Sequence, residues 1–208
     1  MAKRSKSSER WLKEHMNDAY VKRARKEGLR SRAAFKLSEL DEAERLIRPG
    51  MVIIDLGAAP GGWSQYASKV LKGKGLIIAC DILPMDALTG VTFLQGDFRE
   101  TAALTELQTV LADRPVDLVM SDMAPNMSGI DAVDHPRQME LAELALEFAC
   151  QHLKPGGVFL SKLFQGVGFD EYLRLVRKGF SKVAMKKPPA SRSRSAEMYL
   201  LATGRRIL

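Results

Sequence analysis

Lys162 is the residue hardest to reconcile with ordinary packing. It interrupts Val158-Phe159-Leu160-Ser161-Lys162-Leu163-Phe164, an otherwise apolar run that reads as a strand, near the carboxyl end of that run. An unpaired ammonium is costly to bury, so Lys162 needs an acidic partner or a cleft. A cleft is suggested a hundred residues earlier, where Met51-Val52-Ile53-Ile54 runs into Asp55-Leu56-Gly57-Ala58-Ala59-Pro60-Gly61-Gly62-Trp63. The apolar run lacks alternation, as expected of a parallel strand covered on both faces. Gly57, Gly61 and Gly62 permit positive φ and close backbone approach, and a helix starting near Trp63 would aim free N–H groups at a ligand held in the turn. Two further acids end apolar runs. Asp81 follows Leu76 to Cys80, where a carboxylate can accept hydrogen bonds from ribose hydroxyls or simply start the turn at Ile82-Leu83-Pro84. Asp122 opens Asp122-Met123-Ala124-Pro125-Asn126-Met127-Ser128-Gly129 after Val116 to Ser121, beside the first turn if the sheet is parallel.

Both dinucleotides and S-adenosylmethionine are held by such turns, and spacing separates them. A dinucleotide fingerprint needs G-x-G-x-x-G, whereas Gly57 is followed by Ala58, Ala59 and Pro60. The nine-residue string from Asp55 to Trp63 instead resembles the first motif of class I S-adenosylmethionine-dependent methyltransferases, in detail that of the FtsJ-type RNA ribose 2′-O-methyltransferases. The resemblance extends to Gly28-Leu29-Arg30-Ser31-Arg32-Ala33-Ala34-Phe35-Lys36-Leu37, to Ser121-Asp122-Met123-Ala124-Pro125-Asn126 and to Ser191-Arg192-Ser193-Arg194-Ser195-Ala196-Glu197-Met198-Tyr199.

This resemblance implies a Lys-Asp-Lys-Glu tetrad at Lys36, Asp122, Lys162 and Glu197, and a methyl acceptor that is the ribose of a uridine in 23S ribosomal RNA of the large subunit. Read singly, Lys36 also fits a solvated helix residue, Asp122 a turn former and Glu197 an edge-strand charge. The resemblance further implies that Gly61, Trp63, Asp81, Asp97 and Asp122 line the S-adenosylmethionine site, with Asp97 near the adenine amino group. Arg30, Arg32, Arg192 and Arg194 are expected to meet RNA, mostly through phosphates. The reaction needs alignment of the ribose oxygen with the sulfonium methyl and management of one proton. Lys162 is a base only if neutral, against a reference pKa of roughly 10.4; Lys36 would lower that value, while Asp122 and Glu197 would raise it. Alternatively a charged Lys162 orients the oxygen while Asp122 or water takes the proton. Base-nitrogen methylation is disfavoured, because Asp122-Met123-Ala124-Pro125 is not Asp or Asn-Pro-Pro-aromatic. An RNA-binding assembly factor is the rival outside catalysis.

Positioning these groups requires alternating strands and helices. Helices are expected from Glu9 to before Gly28, from a Ser31 cap to Pro49-Gly50, at 63–71, 100–112, from Pro136 to Leu153, and near 169–178. Strands are expected at Met51–Ile54, Leu76–Cys80, 93–98, 116–121, Val158–Leu163, 180–186 and 197–203. The pattern indicates an α/β, three-layer doubly wound, Rossmann-like fold. One domain of 208 residues is expected, with 1–8 disordered, a helical RNA-binding elaboration over 9–48 and the catalytic core over 49–208.

Charge is divided unevenly. Residues 1–36 carry 12 Lys or Arg against 4 acids and residues 178–208 carry 8 against 1, whereas 37–177 carry 12 against 20. The +7 total therefore sits at the ends, which favours a polyanion-binding surface. No apolar run is long enough for a membrane span and no signal-peptide core is present, so a cytoplasmic location is expected. Cys80 and Cys150 read as small buried hydrophobes, and His15, His135 and His152 form no ligand cluster with them, so no metal is expected. A monomer is expected.

Overall fold

A computed structural model describes residues 18–125, 128–192 and 195–207. The order is α1 (Ala19–Lys26), α2 (Ala33–Glu44), β1 (Val52–Leu56), α3 (Gly62–Leu71), β2 (Leu76–Asp81), β3 (Thr92–Gln95) and α4 (Thr101–Leu111). Then come β4 (Val116–Ser121), α5 (Asp131–His152), β5 (Leu153–Phe164), α6 (Phe169–Gly179), β6 (Phe180–Lys186) and β7 (Glu197–Arg205). The strands form one sheet in the order β3, β2, β1, β4, β5, β7, β6. All neighbours are parallel up to β5, and β7 runs antiparallel to both β5 and β6.

The unalternating apolar run is explained by two cores. Ile53, Ile77, Leu118 and Leu160 pack with Leu37, Leu40, Trp63 and Ala67 from α2 and α3. Ile54, Ile78, Val119 and Phe159 turn the other way, against Leu107, Ala145, Phe148 and Val176 from α4, α5 and α6. A strand with helices on both faces needs apolar side chains at odd and even positions alike. The result is the three-layer α/β arrangement expected, with its switch point between β1 and β4, where the crossovers diverge.

Several boundaries depart from expectation. Ser31 does not cap α2; the N-cap is Arg32, with no side-chain cap bond. That helix stops at Glu44 rather than at Pro49-Gly50, because Arg45 turns left-handed (φ 55°) and the Asp41 carboxylate accepts from the Ile47 amide at 2.8 Å. Helix α5 begins five residues before Pro136; its first turn is secured by Asp134, which accepts from the Ser128 amide (2.8 Å) and hydroxyl (2.8 Å) and the Gly129 amide (2.9 Å). Strand β5 begins at Leu153, paired with Val116. The register then slips so that Leu118 meets Val158, and Pro155-Gly156-Gly157 lies within an irregular strand instead of ending a helix. The helix before Gly28 does not run unbroken from Glu9: it begins at Ala19, because Asp18 is extended (ψ 124°) and its carboxylate caps the Tyr20 and Val21 amides. The expected disorder of residues 1–8, the expected helix start at Glu9, Arg194 and Asn126 lie outside the described residues. No helix among the described residues is long and apolar enough to cross a membrane.

Asp55 is a carboxylic acid buried at the centre of this sheet, on β1. Burial, reinforced by the nearby Asp122 and Asp81 carboxylates, pushes its pKa up to about 7, although the Ser64 hydroxyl (2.6 Å) and amide favour the charged form. An acid with a raised folded-state pKa lets the unfolded chain ionise first, so it removes stability as pH rises from about 4 to 7 and adds no further slope above that. Asp55→Asn is therefore expected to gain on the wild type across that window, by roughly 4 kcal/mol once the pH reaches about 7. Thermal denaturation of both chains between pH 4 and 8 checks this, and a difference that shrinks with rising pH contradicts it.

Candidate active site

Four elements far apart in sequence bring the tetrad together. Asp122 follows β4, next to the end of β1, where its amide donates to the Leu56 carbonyl at 3.0 Å. Lys162 lies near the end of β5, directly across from Tyr199 on β7. Glu197 begins β7; because that strand is antiparallel, its start falls at the same sheet edge as the ends of the parallel strands. Lys36 reaches this edge from α2, 161 residues away from Glu197.

The side chains pair in two couples. Lys36 Nζ donates to both Glu197 oxygens, at 2.6 and 2.7 Å, and to the Tyr199 hydroxyl at 3.1 Å. Lys162 Nζ donates to the Asp122 main-chain carbonyl at 2.6 Å and lies 2.9 Å from Asp122 Oδ1. That second approach is an ion pair without the alignment of a hydrogen bond, which leaves Oδ1 buried and short of a directed donor. Burial pushes the Glu197 carboxyl up, but the Lys36 ammonium, the field of Lys162 and the Ser191 hydroxyl (3.0 Å) hold it below its ordinary value. Both pairs are largely shielded from water, so removing one member leaves an uncompensated charge, a loss of about 3–5 kcal/mol for fully buried pairs.

Tyr199 links the couples, and reading the sequence did not single it out. Its ring is fully buried, 5.8 Å from the Trp63 ring. Burial, then the Asp122 and Glu197 carboxylates, raises its phenol well above the usual value, so it remains a neutral hydroxyl between the pairs. The available signal was its place two residues after Glu197, on the same face of β7.

The glycine turn beside this cluster is shaped by its neighbours. Gly57 (φ +75°) lies against Met123, where an added Cβ would come within 2.8 Å of the Met123 backbone. Gly61 (φ +102°) faces Met85 and Arg30, and Gly62 lies against the Ser31 hydroxyl. Asp81 closes the other side, accepting from the Ala59 amide (2.8 Å) and the Leu83 amide (2.9 Å) through separate oxygens. Each oxygen retains a lone pair, so the carboxylate still fits a pair of ribose hydroxyls. The Trp63 indole is buried and donates to the Ala33 carbonyl at 2.9 Å, so Trp63 can offer a ligand only its main chain at the start of α3. Asp97, just beyond β3, is engaged with the Arg99 guanidinium at 2.7 Å, which holds its carboxyl low. Together a left-handed glycine turn, a helix N-terminus and a diol-compatible carboxylate fit the nucleoside and amino-acid ends of S-adenosylmethionine.

Of the arginines expected at RNA, Arg30, Arg32 and Arg192 are described, and each already has partners within the protein. Arg32 pairs with Asp18 and donates to the Ala190 carbonyl, and Arg192 approaches the same Asp18 carboxylate at 3.3 Å. Asp18 also caps α1 through the Tyr20 and Val21 amides. Glu39 accepts from the Tyr20 hydroxyl (3.0 Å) and the Ala190 amide (2.7 Å). Arg30 donates to three main-chain carbonyls, at Pro60 (3.3 Å), Asp86 (2.7 Å) and Ala87 (2.8 Å). Asp18 and Glu39 were not picked out from sequence, because an acid among basic residues looks like a solvated counter-charge and one of several acids on a helix looks like its solvated face.

Comparison with known proteins follows the same lines. The chain is 62% identical over 207 residues, covering 100% of this chain and 99% of the relative, to a protein named ribosomal RNA large subunit methyltransferase E from Xanthomonas oryzae pv. oryzae. A relative of the same name from Xanthomonas euvesicatoria pv. vesicatoria is also 62% identical, with the same coverage. Among solved structures, a protein named as a ribosomal RNA methyltransferase from Plasmodium falciparum superposes with a TM-score of 0.77 at 29% identity, over 85% of this chain and 98% of that one. A protein from Clostridium thermocellum shares the fold at a TM-score of 0.54 and 16% identity, over 82% of this chain and 97% of that one. Residues 29–205, a span that takes in all four tetrad positions, match the FtsJ-like methyltransferase family, and this chain belongs to that family.

Proposed function

We propose that this methyltransferase uses S-adenosylmethionine to methylate the 2′-hydroxyl of a uridine ribose in 23S ribosomal RNA, acting in the cytoplasm as a monomer on the large ribosomal subunit. The carrying observation is the Lys36–Glu197 and Lys162–Asp122 couples beside a glycine turn, in a chain matched end to end by relatives named for large-subunit ribosomal RNA methylation. The basic excess of both chain ends supplies the attraction to a polyanion.

S-adenosylmethionine would supply an electrophilic methyl on a good leaving group. The protein's share is to hold the ribose oxygen in line and to manage its proton. Lys162 Nζ faces a carbonyl and a carboxylate oxygen of Asp122, and an ammonium with three donors keeps a further N–H for the 2′-oxygen. In that role Lys162 orients the oxygen and stabilises the charge it develops. Asp122 Oδ1, buried and without a directed donor, is the nearby group suited to receive the proton. Lys36, held by Glu197 and Tyr199, fixes the opposite wall and adds positive potential next to the RNA.

Labelled S-adenosylmethionine incubated with isolated large subunits, bare ribosomal RNA and transfer RNA, followed by alkaline hydrolysis, tests the reading. A 2′-O-methyl group removes the nucleophile that cleaves the adjacent phosphodiester, so label is expected in alkali-resistant dinucleotides from the large subunit. Label in mononucleotides would move the reaction to a base. Lys162→Ala is expected to lower turnover by about a thousandfold or more while cofactor affinity stays within roughly twofold; near-normal turnover would remove Lys162 from the mechanism. Tyr199→Phe, which deletes one hydroxyl contact to Lys36, is expected to reduce kcat by about tenfold, the effect of one ordinary hydrogen bond.

A further inference from the structure

Arg30 has chemistry that binding RNA does not require. Its guanidinium reaches away from the Arg32–Asp18–Arg192 cluster, into the space between two loops that follow β1 and β2. Nη1 donates to the Pro60 carbonyl in the glycine turn and to the Asp86 carbonyl in the 82–90 loop, and Nη2 donates to Ala87 in that same loop. Its main chain is anchored as well. The Arg30 amide donates to Gln65 Oε1 at 2.9 Å, and Gln65 Nε2 donates back to the Gly28 carbonyl at 2.9 Å, so residues 28–30 are clipped to α3.

The 82–90 loop has little else to define it. It contains no helix or strand, and Ile82 and Leu83 are more than half exposed. Its ends are tied, by Asp81 to the Leu83 amide and by the Ser68 hydroxyl to the Thr89 carbonyl at 2.7 Å. Its middle, at Asp86 and Ala87, is tied by Arg30. Met85 and Arg30 flank Gly61 together, with Met85 Sδ and Arg30 Nη1 respectively 2.8 and 2.9 Å from where a Cβ would sit. Asp81 bridges the same two loops through the Ala59 and Leu83 amides. Arg30 and Asp81 are therefore two braces across one gap.

We infer that Arg30 is a positioning residue for the cofactor cleft: it holds the 82–90 loop at a fixed separation from the glycine turn and so sets the affinity for S-adenosylmethionine. This inference rests on the cofactor reading above. A loop ordered before binding does not have to be ordered by the ligand, and that difference appears as affinity. The planar fork serves three carbonyls on two loops in a fixed geometry, Nη1 spanning both loops and Nη2 adding Ala87. Lysine keeps the charge an RNA phosphate would need, but not the fork. The segment that carries Arg30 toward the cofactor loops carries Arg32 toward the 187–196 loop two residues later, so the basic N-terminal elaboration is mechanically joined to the cofactor site.

Arg30→Lys in the full chain separates the two roles. Titration calorimetry with S-adenosylmethionine is expected to give a Kd raised by about tenfold over wild type, the loss of charge-assisted hydrogen bonds at a partly exposed site. Filter binding to a 23S ribosomal RNA transcript is expected to show an affinity and salt dependence within roughly twofold of wild type. Amide hydrogen exchange across 82–90, measured without cofactor, is expected to quicken in Arg30→Lys and in Arg30→Met alike. Should Arg30→Met fold poorly, Arg30→Lys still carries the comparison. The inference is overturned if wild type binds S-adenosylmethionine and Arg30→Lys binds it equally well, or if exchange across the loop is unchanged. A wild-type chain that binds no S-adenosylmethionine would instead overturn the cofactor reading, and the inference with it.

Discussion

Two lysines and two carboxylates placed where water hardly reaches constrain this fold more than any other feature. Each ammonium is tolerable only because a carboxylate is held within 3 Å, and neither partner can be supplied locally. Lys36 comes from a helix that precedes the sheet, and Glu197 from a strand that closes it. The antiparallel insertion of β7 between β5 and β6 is what makes their meeting possible. A parallel strand there would deliver its first residue to the far edge of the sheet. Charges act more strongly in a water-poor site, so the arrangement that burdens folding is also the one the proposed reaction would use to orient a hydroxyl and stabilise the charge it develops.

The N-terminal helices are held to the core by the same logic in a weaker dielectric contrast. Asp18 lies in the basic N-terminal stretch and Glu39 in the acidic run that follows it, and both bind groups from around residues 190–192. Phe35 and Ala190 add an apolar contact between the same elements. Arg32 and Arg192 are thus fixed to the fold rather than free. The two arginines share one carboxylate, which fixes the spacing between positive charges that a phosphate backbone would meet.

Periodicity made the sheet legible. Runs such as Ile53-Ile54 and Ile77-Ile78 have to be apolar at every position when helices cover both faces, and their shortness, β-branching and flanking glycine turns separate them from a buried helix. Boundaries set by tertiary contacts were not legible. Ser31 looks like an N-cap but sits under Gly62, where its hydroxyl packs against the turn instead of bonding an amide. Pro136 looks like a helix start, yet Asp134 gathers three donors from Ser128 and Gly129 and begins the helix earlier. The tetrad residues were identifiable through the resemblance, whereas Tyr199, Asp18 and Glu39 have functions defined wholly by what faces them in space.

The glycine turn shows why a motif and a structure answer different questions. As a string, Gly57, Gly61 and Gly62 read as room for a ligand. In the fold, each has a separate protein neighbour: Met123 after β4, Met85 with Arg30, and Ser31 before α2. The absence of side chains therefore lets three segments converge on one turn, and those segments bring Asp122, the 82–90 loop and the helix bearing Lys36. A larger residue at any of the three positions would press first on the protein's own parts. The turn is the point where the pieces of the proposed site are packed against one another, so a change that pried it open would misplace Asp122 and Lys36 together with the cofactor cleft.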